Sequence, residues 1–278
     1  MSEVSEASGP ADGAGPFVDL YRDRPDLYDL LHDDLAQDLE FYAGLAGVIV
    51  PPGGGVLELG CGSGRVMAAL LEQELRVTGL DAEEAMLARA RARLAPFGAR
   101  ARLLRGDMRR LAAPGAPGLG PDRFDLVLIA ANTFMHLEGH DDQRACLEGI
   151  RARLNPGGTA ILDLANPFHA MALPQGVVTF RRQARDEATG QTVTVTGALE
   201  VDPTAPRVLD RLFFDQCGPD GALRRLLSRV ELRLVFMPEL ELLLGAAGLG
   251  VTDAYGDYDL GPYHKDAERM IVVIKAYD

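Results

Sequence analysis

The sequence predicts an α/β fold: a parallel sheet covered by helices and interrupted once by an antiparallel β insertion. Three observations carry this. Between residues 56 and 165, short apolar runs alternate with segments of helical periodicity, and strands separated in this way pair in parallel through right-handed crossovers. A glycine-rich turn, Gly60-Cys61-Gly62-Ser63-Gly64, joins the first of these strands to its helix. After Asn166-Pro167 the alternation stops, and four strand-like runs follow with no helix between most of them.

Taken in order, residues 1–16 are rich in Ser, Ala, Gly, Glu and Pro, carry too little apolar surface to offset the entropy of ordering, and are expected to form a disordered tail. Leu31, Leu35, Leu39, Tyr42, Ala46 and Ile49 then recur at spacings of three and four, the apolar stripe of one amphipathic helix, which Pro51-Pro52-Gly53-Gly54-Gly55 ends. Residues 56–59 read as a strand and 65–72 as a helix with Val66, Met67, Leu70 and Leu71 inward; 76–80 form a second strand ending at Asp81. Residues 84–94 are helical with Met86, Leu87, Ala90 and Leu94 on one face, and 101–104 form a third strand stopped by Gly106-Asp107-Met108. A Pro- and Gly-rich loop at 113–121 precedes the near-continuous apolar run 124–129, the pattern of a buried parallel strand. A helix over 141–154 stops at Asn155-Pro156-Gly157-Gly158, and 159–164 is the fifth strand. The runs 177–182, 192–201, 208–215 and 226–235 read as antiparallel strands with turns at Thr189-Gly190 and 218–221; 238–247 returns to helix, and 251–255 and 270–275 to strand. The expected organisation is a tail (1–16), a Rossmann-like domain built from 17–167 and 237–278 with an N-terminal helical lid, and a β-rich insertion after strand five (168–236) acting as a substrate cap.

Composition narrows the class. Of 278 residues 47% are hydrophobic, so a sizeable core is available, and with no Trp and 6% aromatics aliphatic side chains must fill it. The formal net charge of −13 opposes nucleic acid, whose binding requires Lys and Arg to displace counterions. The clusters Arg100, Arg102, Arg105, Arg109, Arg110 and Arg224, Arg225, Arg229 read as solvated faces. Cys61, Cys146 and Cys217 have no metal-ligand spacing and read as reduced thiols of a cytoplasmic protein. The N-terminus lacks the basic and apolar regions of a secretory signal, and no run of about eighteen apolar residues predicts a membrane span.

The glycine loop needs small residues because its backbone turns tightly and approaches a ligand closely. The helix beginning near Arg65 points free N–H groups at that ligand, and Asp81, ending the neighbouring strand, is placed to accept both hydrogen bonds of a ribose diol. A dinucleotide fingerprint needs Gly or Ala where Arg65 stands, and a phosphate-binding P-loop needs Gly-Lys-Ser/Thr. The loop therefore suits a nucleoside without pyrophosphate better than NAD or ATP.

Five ordered segments now carry a resemblance. Val56-Leu57-Glu58-Leu59-Gly60-Cys61-Gly62-Ser63-Gly64, Gly79-Leu80-Asp81-Ala82-Glu83-Glu84-Ala85-Met86-Leu87, Gly106-Asp107-Met108, Phe124-Asp125-Leu126-Val127-Leu128-Ile129 and Leu154-Asn155-Pro156-Gly157-Gly158 resemble, in order, the motifs of class I S-adenosylmethionine (SAM) dependent methyltransferases. The resemblance implies SAM as methyl donor and S-adenosylhomocysteine as product. It implies a SAM site formed by Tyr28, Glu58, Gly60, Cys61, Gly62, Arg65, Asp81, Ala82, Met86, Gly106, Asp107, Met108, Ala130 and Ala131. In it Gly60 and Gly62 pass under the methionine, Arg65 pairs with its carboxylate, Asp81 holds the ribose, Met86 lines the adenine pocket and Asp107 meets the adenine edge; for Met86, core packing is an equal alternative. Tyr28 resembles a lid tyrosine of small-molecule members.

Methyl transfer from a sulfonium is an in-line displacement, for which a protein supplies proximity and alignment, with a general base only where the acceptor must lose a proton. The segment Ala130-Ala131-Asn132-Thr133-Phe134-Met135-His136-Leu137, which follows strand four, lacks both the [Asn/Asp/Ser]-Pro-Pro-[Tyr/Phe] motif of base and glutamine methyltransferases and the Pro-Cys of the cytosine C5 class. His136, Asn132 and Tyr28 are the candidate catalytic residues; His140 and His169 are weaker ones. Asp163 and Asn166 lack the further carboxylate that a divalent ion would need, so no metal is expected. Tyr255-Gly256-Asp257-Tyr258-Asp259 is either a polar turn or an acceptor contact. The layout resembles small-molecule N-methyltransferases of the amino-sugar N,N-dimethyltransferase and glycine/sarcosine types, which implies a small-molecule amine acceptor with neither nucleic acid nor membrane as partner and leaves a homodimer open. O-methylation and a non-catalytic SAM-binding module are the alternatives.

Overall fold

The computed structural model describes residues 17–277 apart from Asp34, 113–117, Pro121, 187–188, Pro203 and Pro219. The expected tail at 1–16 and most of the loop at 113–121 lie outside the described residues. Helices α1 (Pro25–His32) and α2 (Gln37–Ile49) lead into β1 (Gly55–Leu59), α3 (Arg65–Glu72), β2 (Arg76–Asp81), α4 (Glu84–Leu94), β3 (Ala101–Arg105), β4 (Phe124–Ile129), α5 (His140–Arg153), β5 (Leu154–Ala165) and α6 (Pro167–Ala172). Strands β6 (Thr179–Arg185), β7 (Thr192–Asp202), β8 (Arg207–Cys217) and β9 (Leu223–Arg233) follow, then α7 (Met237–Ala246), β10 (Leu249–Tyr255) and β11 (Arg269–Ala276). Among the described residues these strands form a seven-stranded sheet, β10-β11-β5-β4-β1-β2-β3, and a four-stranded antiparallel sheet, β6-β7-β8-β9.

Four sequence expectations are corrected. The single N-terminal helix is two: the Leu35 carbonyl, which an unbroken helix would offer to the amide four residues on, accepts from the Arg65 guanidinium (3.0 Å). The large sheet is mixed, because β11 returns from β10 without a crossover helix and lies antiparallel to both β10 and β5. Asn155-Pro156-Gly157-Gly158 does not precede β5 but sits within it as an irregularity between Phe124↔Leu154 and Leu126↔Thr159. Helix α6 was not foreseen, although Asn166 accepts from the Phe168 amide (3.1 Å) and Pro167 fills the first helical position, a complete start signal.

Strand alternation sorts the core. Leu57, Leu59, Val127 and Ile129 pack on the side of α5 and α7, whereas Val56, Leu126 and Leu128 pack with α2, α3 and α4. Each such side chain contributes about 1.5–3 kcal/mol by burial. Glu58 shares the face of Val56 and is 2% exposed. A third cluster joins the N-terminal segment to the second sheet: Leu20 and Leu27 pack against Val193, Val195, Leu212 and Phe214. Val18 adds a backbone bond to the Leu227 carbonyl (2.7 Å). Arg89 pairs with Asp29, and Arg93 with Asp33 (2.9 Å), fastening α1 to α4. The N-terminal segment is thereby held between both sheets.

Candidate active site

A cavity of about 400 Å³ lies where the first four strands of the large sheet end, the position at which open α/β sheets bind ligands. Gly60, Gly62, Asp81, Ala82, Met86, Gly106, Asp107 and Met108 form one half. Leu20, Tyr21, Tyr28, Leu31 and His32 cover it from the N-terminal segment, Ala131, Asn132, Thr133 and His136 enter from the loop after β4, and Asp210, Leu212, Val230 and Leu232 come from β8 and β9. A small recess shares Tyr28, Gly60, Ala131 and Thr133 with this cavity and adds Glu58, Cys61, Ser63, Arg65, Val66 and Ala130. Every residue expected at the SAM site thus lines one of the two spaces.

The loop geometry explains its glycines. Gly60 has φ +70°, and a Cβ there would stand 2.2 Å from Thr133 Cγ2, so only glycine lets the β1 and β4 loops meet. The Asp81 carboxylate accepts from the Gly62 amide (2.7 Å) and the Glu83 amide (2.9 Å). These bonds aim it at the cavity, while burial raises its pKa above the ordinary value. Asp107 accepts from the Arg109 amide and side chain (2.8 and 2.9 Å), which lowers its pKa. Cys61 turns its thiol into the core against Met67 and Gly79 and leaves its backbone at the recess. Met86 is 1% exposed and also lines the cavity, so core packing and pocket lining are one role.

At the recess, burial pushes the Glu58 carboxyl up to about 8, against the opposing pull of Arg65, and Oε2 has no hydrogen-bond partner among the described residues. A buried carboxylate oxygen without a donor is costly, and Glu58 is one of the residues lining the recess. Arg65, expected to meet a ligand carboxylate, instead pairs with Asp38 from α2 (Nη1–Oδ1 3.0 Å). That carboxylate and the Leu35 carbonyl already occupy its guanidinium.

The loop after β4 is strained and braced. Ala131 and Asn132 both have left-handed φ, 48° and 70°, which non-glycine residues keep only where the surroundings over-determine it. The Asn132 amide donates to the Asp163 carbonyl (2.9 Å), and Asn132 Oδ1 accepts from Arg269 Nη2 (3.0 Å). A guanidinium only donates, so this bond fixes the oxygen end of the side chain and leaves the N–H groups as the end available to the cavity. Asp163, 0% exposed, accepts from Arg269 Nε (2.8 Å), Tyr258 (3.0 Å) and Tyr42. His136 Nε2 stands 3.2 Å from the Tyr21 hydroxyl, the rings edge to face at 5.4 Å. Burial lowers the His136 pKa and raises that of Tyr21, so a neutral imidazole faces a protonated phenol. Tyr28 stacks on His32 (4.2 Å) and packs against Tyr21 (5.6 Å).

Other sequence candidates lie elsewhere. His140 contacts Glu239 (2.5 Å) and Arg233 (2.8 Å), and His169 lies on α6 away from both spaces. Asn166 donates to three carbonyls near 264–267, and Asp163 is consumed as described. In the 255–259 segment, Asp257 closes a turn by accepting from the Asp259 and Gly261 amides, while Tyr258 reaches Asp163. Sequence reasoning missed Tyr21, His32, Thr133, Leu212, Val230, Leu232 and Asp210. Of these only Asp210 left a signal: it interrupts the buried apolar row Val208, Leu212, Phe214 on one face of β8.

Residues 56–158 match the model of a methyltransferase domain. The chain is 28% identical over 255 residues to the cypemycin N-terminal methyltransferase of a Streptomyces species, covering 90% of this chain and 94% of that one. It is 28% identical over 245 residues to the dTDP-3-amino-3,6-dideoxy-alpha-D-glucopyranose N,N-dimethyltransferase of Streptomyces fradiae, covering 86% and 88%. Among solved structures it is similar to the CcbJ methyltransferase from Streptomyces caelestis, with TM-score 0.74, 26% identity and coverage of 87% and 90%.

Proposed function

We propose that this chain, a class I SAM-dependent methyltransferase by domain and by fold, transfers the methyl group of SAM to the amine nitrogen of a small molecule. One observation carries the reading: a single cavity runs from the nucleoside-binding half, with Asp81 and the glycine loop, to a chamber walled by Tyr21, His136 and Asp210. The residues present fit SAM. Asp81 retains acceptor capacity for a ribose diol, Met86 and Met108 supply apolar walls for an adenine, and Glu58 lines the recess where an α-ammonium would lie. SAM supplies an activated methyl group on a sulfonium. The protein's part is to align the acceptor and exclude water. Tyr28 belongs to both spaces and would orient the junction between them; Asn132 and His136 would present an N–H donor and a neutral imidazole to the acceptor.

The second sheet and the N-terminal segment would act as the cap. Among the described residues no Lys or Arg lines the cavity, which with the net charge of −13 supports a small acceptor over a polyanion. Among the described residues no helix is long and apolar enough to cross a membrane. The names of the two relatives, an N-terminal methyltransferase and an N,N-dimethyltransferase, support nitrogen as the methyl acceptor.

Calorimetry with SAM and a methylation assay on free-amine dipeptides and amino sugars, each beside its N-acetyl form, test this. SAM should bind, and Asp81→Ala should weaken binding by about 1–3 kcal/mol, as for lost hydrogen bonds to a charged group. Failure of SAM and S-adenosylhomocysteine to bind, or methylation of hydroxyl groups alone, would refute the reading.

A further inference from the structure

Strand β8 turns Val208, Asp210, Leu212 and Phe214 toward the same side. Three of these are buried apolar side chains, and the fourth is an acid that lines the cavity. Asp210 pairs in register with Val230, and Leu212 with Ser228, so the neighbouring strand offers Asp210 no charge. Its Oδ1 is buried and accepts no hydrogen bond among the described residues. Arg181 Nη2 stands 3.5 Å from this same oxygen, beyond good hydrogen-bonding geometry. Arg181 is the extra residue of a bulge in β6, between Phe180 and Arg182. Its side chain passes over Gly197 of β7, where a Cβ would stand 2.8 Å from Arg181 Nε. The bulge and the glycine thus bring one counter-charge to the buried Oδ1, which helps tolerate the acid in the apolar face and leaves the exposed part of the carboxylate to the cavity.

A carboxylate kept unsaturated on an apolar cavity wall is placed to receive a donor from a ligand. We propose that Asp210 is the acceptor-selecting residue: the carboxylate oxygen not held against Arg181 accepts an N–H from the amine that is to be methylated. This rests on the proposed amine reading and deepens it. A primary or secondary amine that has lost its ammonium proton to solvent has an N–H to give Asp210 and a lone pair left for the methyl group. An N-acetylated nitrogen has delocalised its lone pair and should be refused. Tyr21 and His136 line the same cavity.

The test uses the full chain saturated with SAM and the best free-amine substrate of the dipeptide and amino-sugar panel, compared with its N-acetyl form. Asp210→Asn keeps the shape and loses the charged acceptor. It should raise the KM for the amine at least about tenfold, the loss of roughly one charge-assisted hydrogen bond, while the Kd for SAM changes less than about twofold. Asp210→Glu should recover part of the loss, and Asp210→Leu should fold and bind SAM as the wild type does. An unchanged KM in Asp210→Asn overturns the proposal even if the enzyme methylates amines. A panel that yields no methylated amine at all, with SAM bound, overturns it together with the amine reading, whereas loss of SAM binding in Asp210→Asn would assign the residue to the fold instead.

Discussion

Glu58 holds a proton at neutral pH because burial pushes its carboxyl up to about 8, above the ordinary 4.5. Between these values the folded chain binds more protons than the unfolded one. Stability contributed by this group is therefore present below the unfolded value and is lost as pH rises through about 8. A cation entering the recess favours the ionised form and must expel that proton. SAM binding at pH about 7 should then release close to one proton, measured as a buffer-dependent enthalpy, and release should fade at pH about 9, where the proton is already gone. Glu58→Gln should abolish the release, weaken SAM binding about tenfold or more, and raise the melting temperature of the ligand-free chain at alkaline pH. Identical proton release from wild type and Glu58→Gln would place the source elsewhere. At this scale the glycine loop and Asp81 were legible, because close approach and a strand-end carboxylate follow from residue type and order, whereas Glu58, inside β1, came only with the family resemblance. The Arg65–Asp38 pair was not, since its partner comes from a helix 27 positions away.

The elements that coincide with expectation are those whose ends are written locally. Helices over 65–72 and 84–94 and the strand over 124–129 end where the sequence places them. Departures occur where distant groups take part: the Arg65 guanidinium takes the Leu35 carbonyl between α1 and α2, and β11 returns from β10 without a crossover helix to lie antiparallel to β5. Strand β11 also carries a functional load. Its first residue, Arg269, links Asp163 on β5 to Asn132 in the strained loop after β4, so one edge of the sheet braces the acceptor side of the cavity. Arg269→Gln removes the cation from a fully buried carboxylate and should cost about 3–5 kcal/mol of stability. It should also lower kcat with little change in the Kd for SAM. Arg269→Lys keeps the charge but not the planar fork that serves two acceptors; it should regain stability more than kcat. Equal recovery of both would make the brace purely structural.

The whole chain acts on its ligands before any of these contacts form. With a formal charge of −13 the molecule attracts cations over distances set by ionic strength, about 10 Å at 0.1 M and about 3 Å at 1 M. SAM carries one net positive charge, and a simple amine carries another until it surrenders its proton. Both associations should therefore weaken as salt is added, and kcat/KM for each should fall several-fold between about 20 mM and about 0.5 M NaCl, with kcat at saturation little changed. The sign distinguishes acceptor classes that the cavity alone treats alike. An amine carrying a diphosphate arrives as an anion, is repelled at low salt, and should gain kcat/KM as screening removes the repulsion, while the SAM dependence keeps its downward slope. Measuring the two slopes separately on one preparation shows which kind of amine the acidic surface has been shaped to admit. An acceptor slope of zero would mean that the charge serves only solubility and that selection begins inside the cavity, at Asp210.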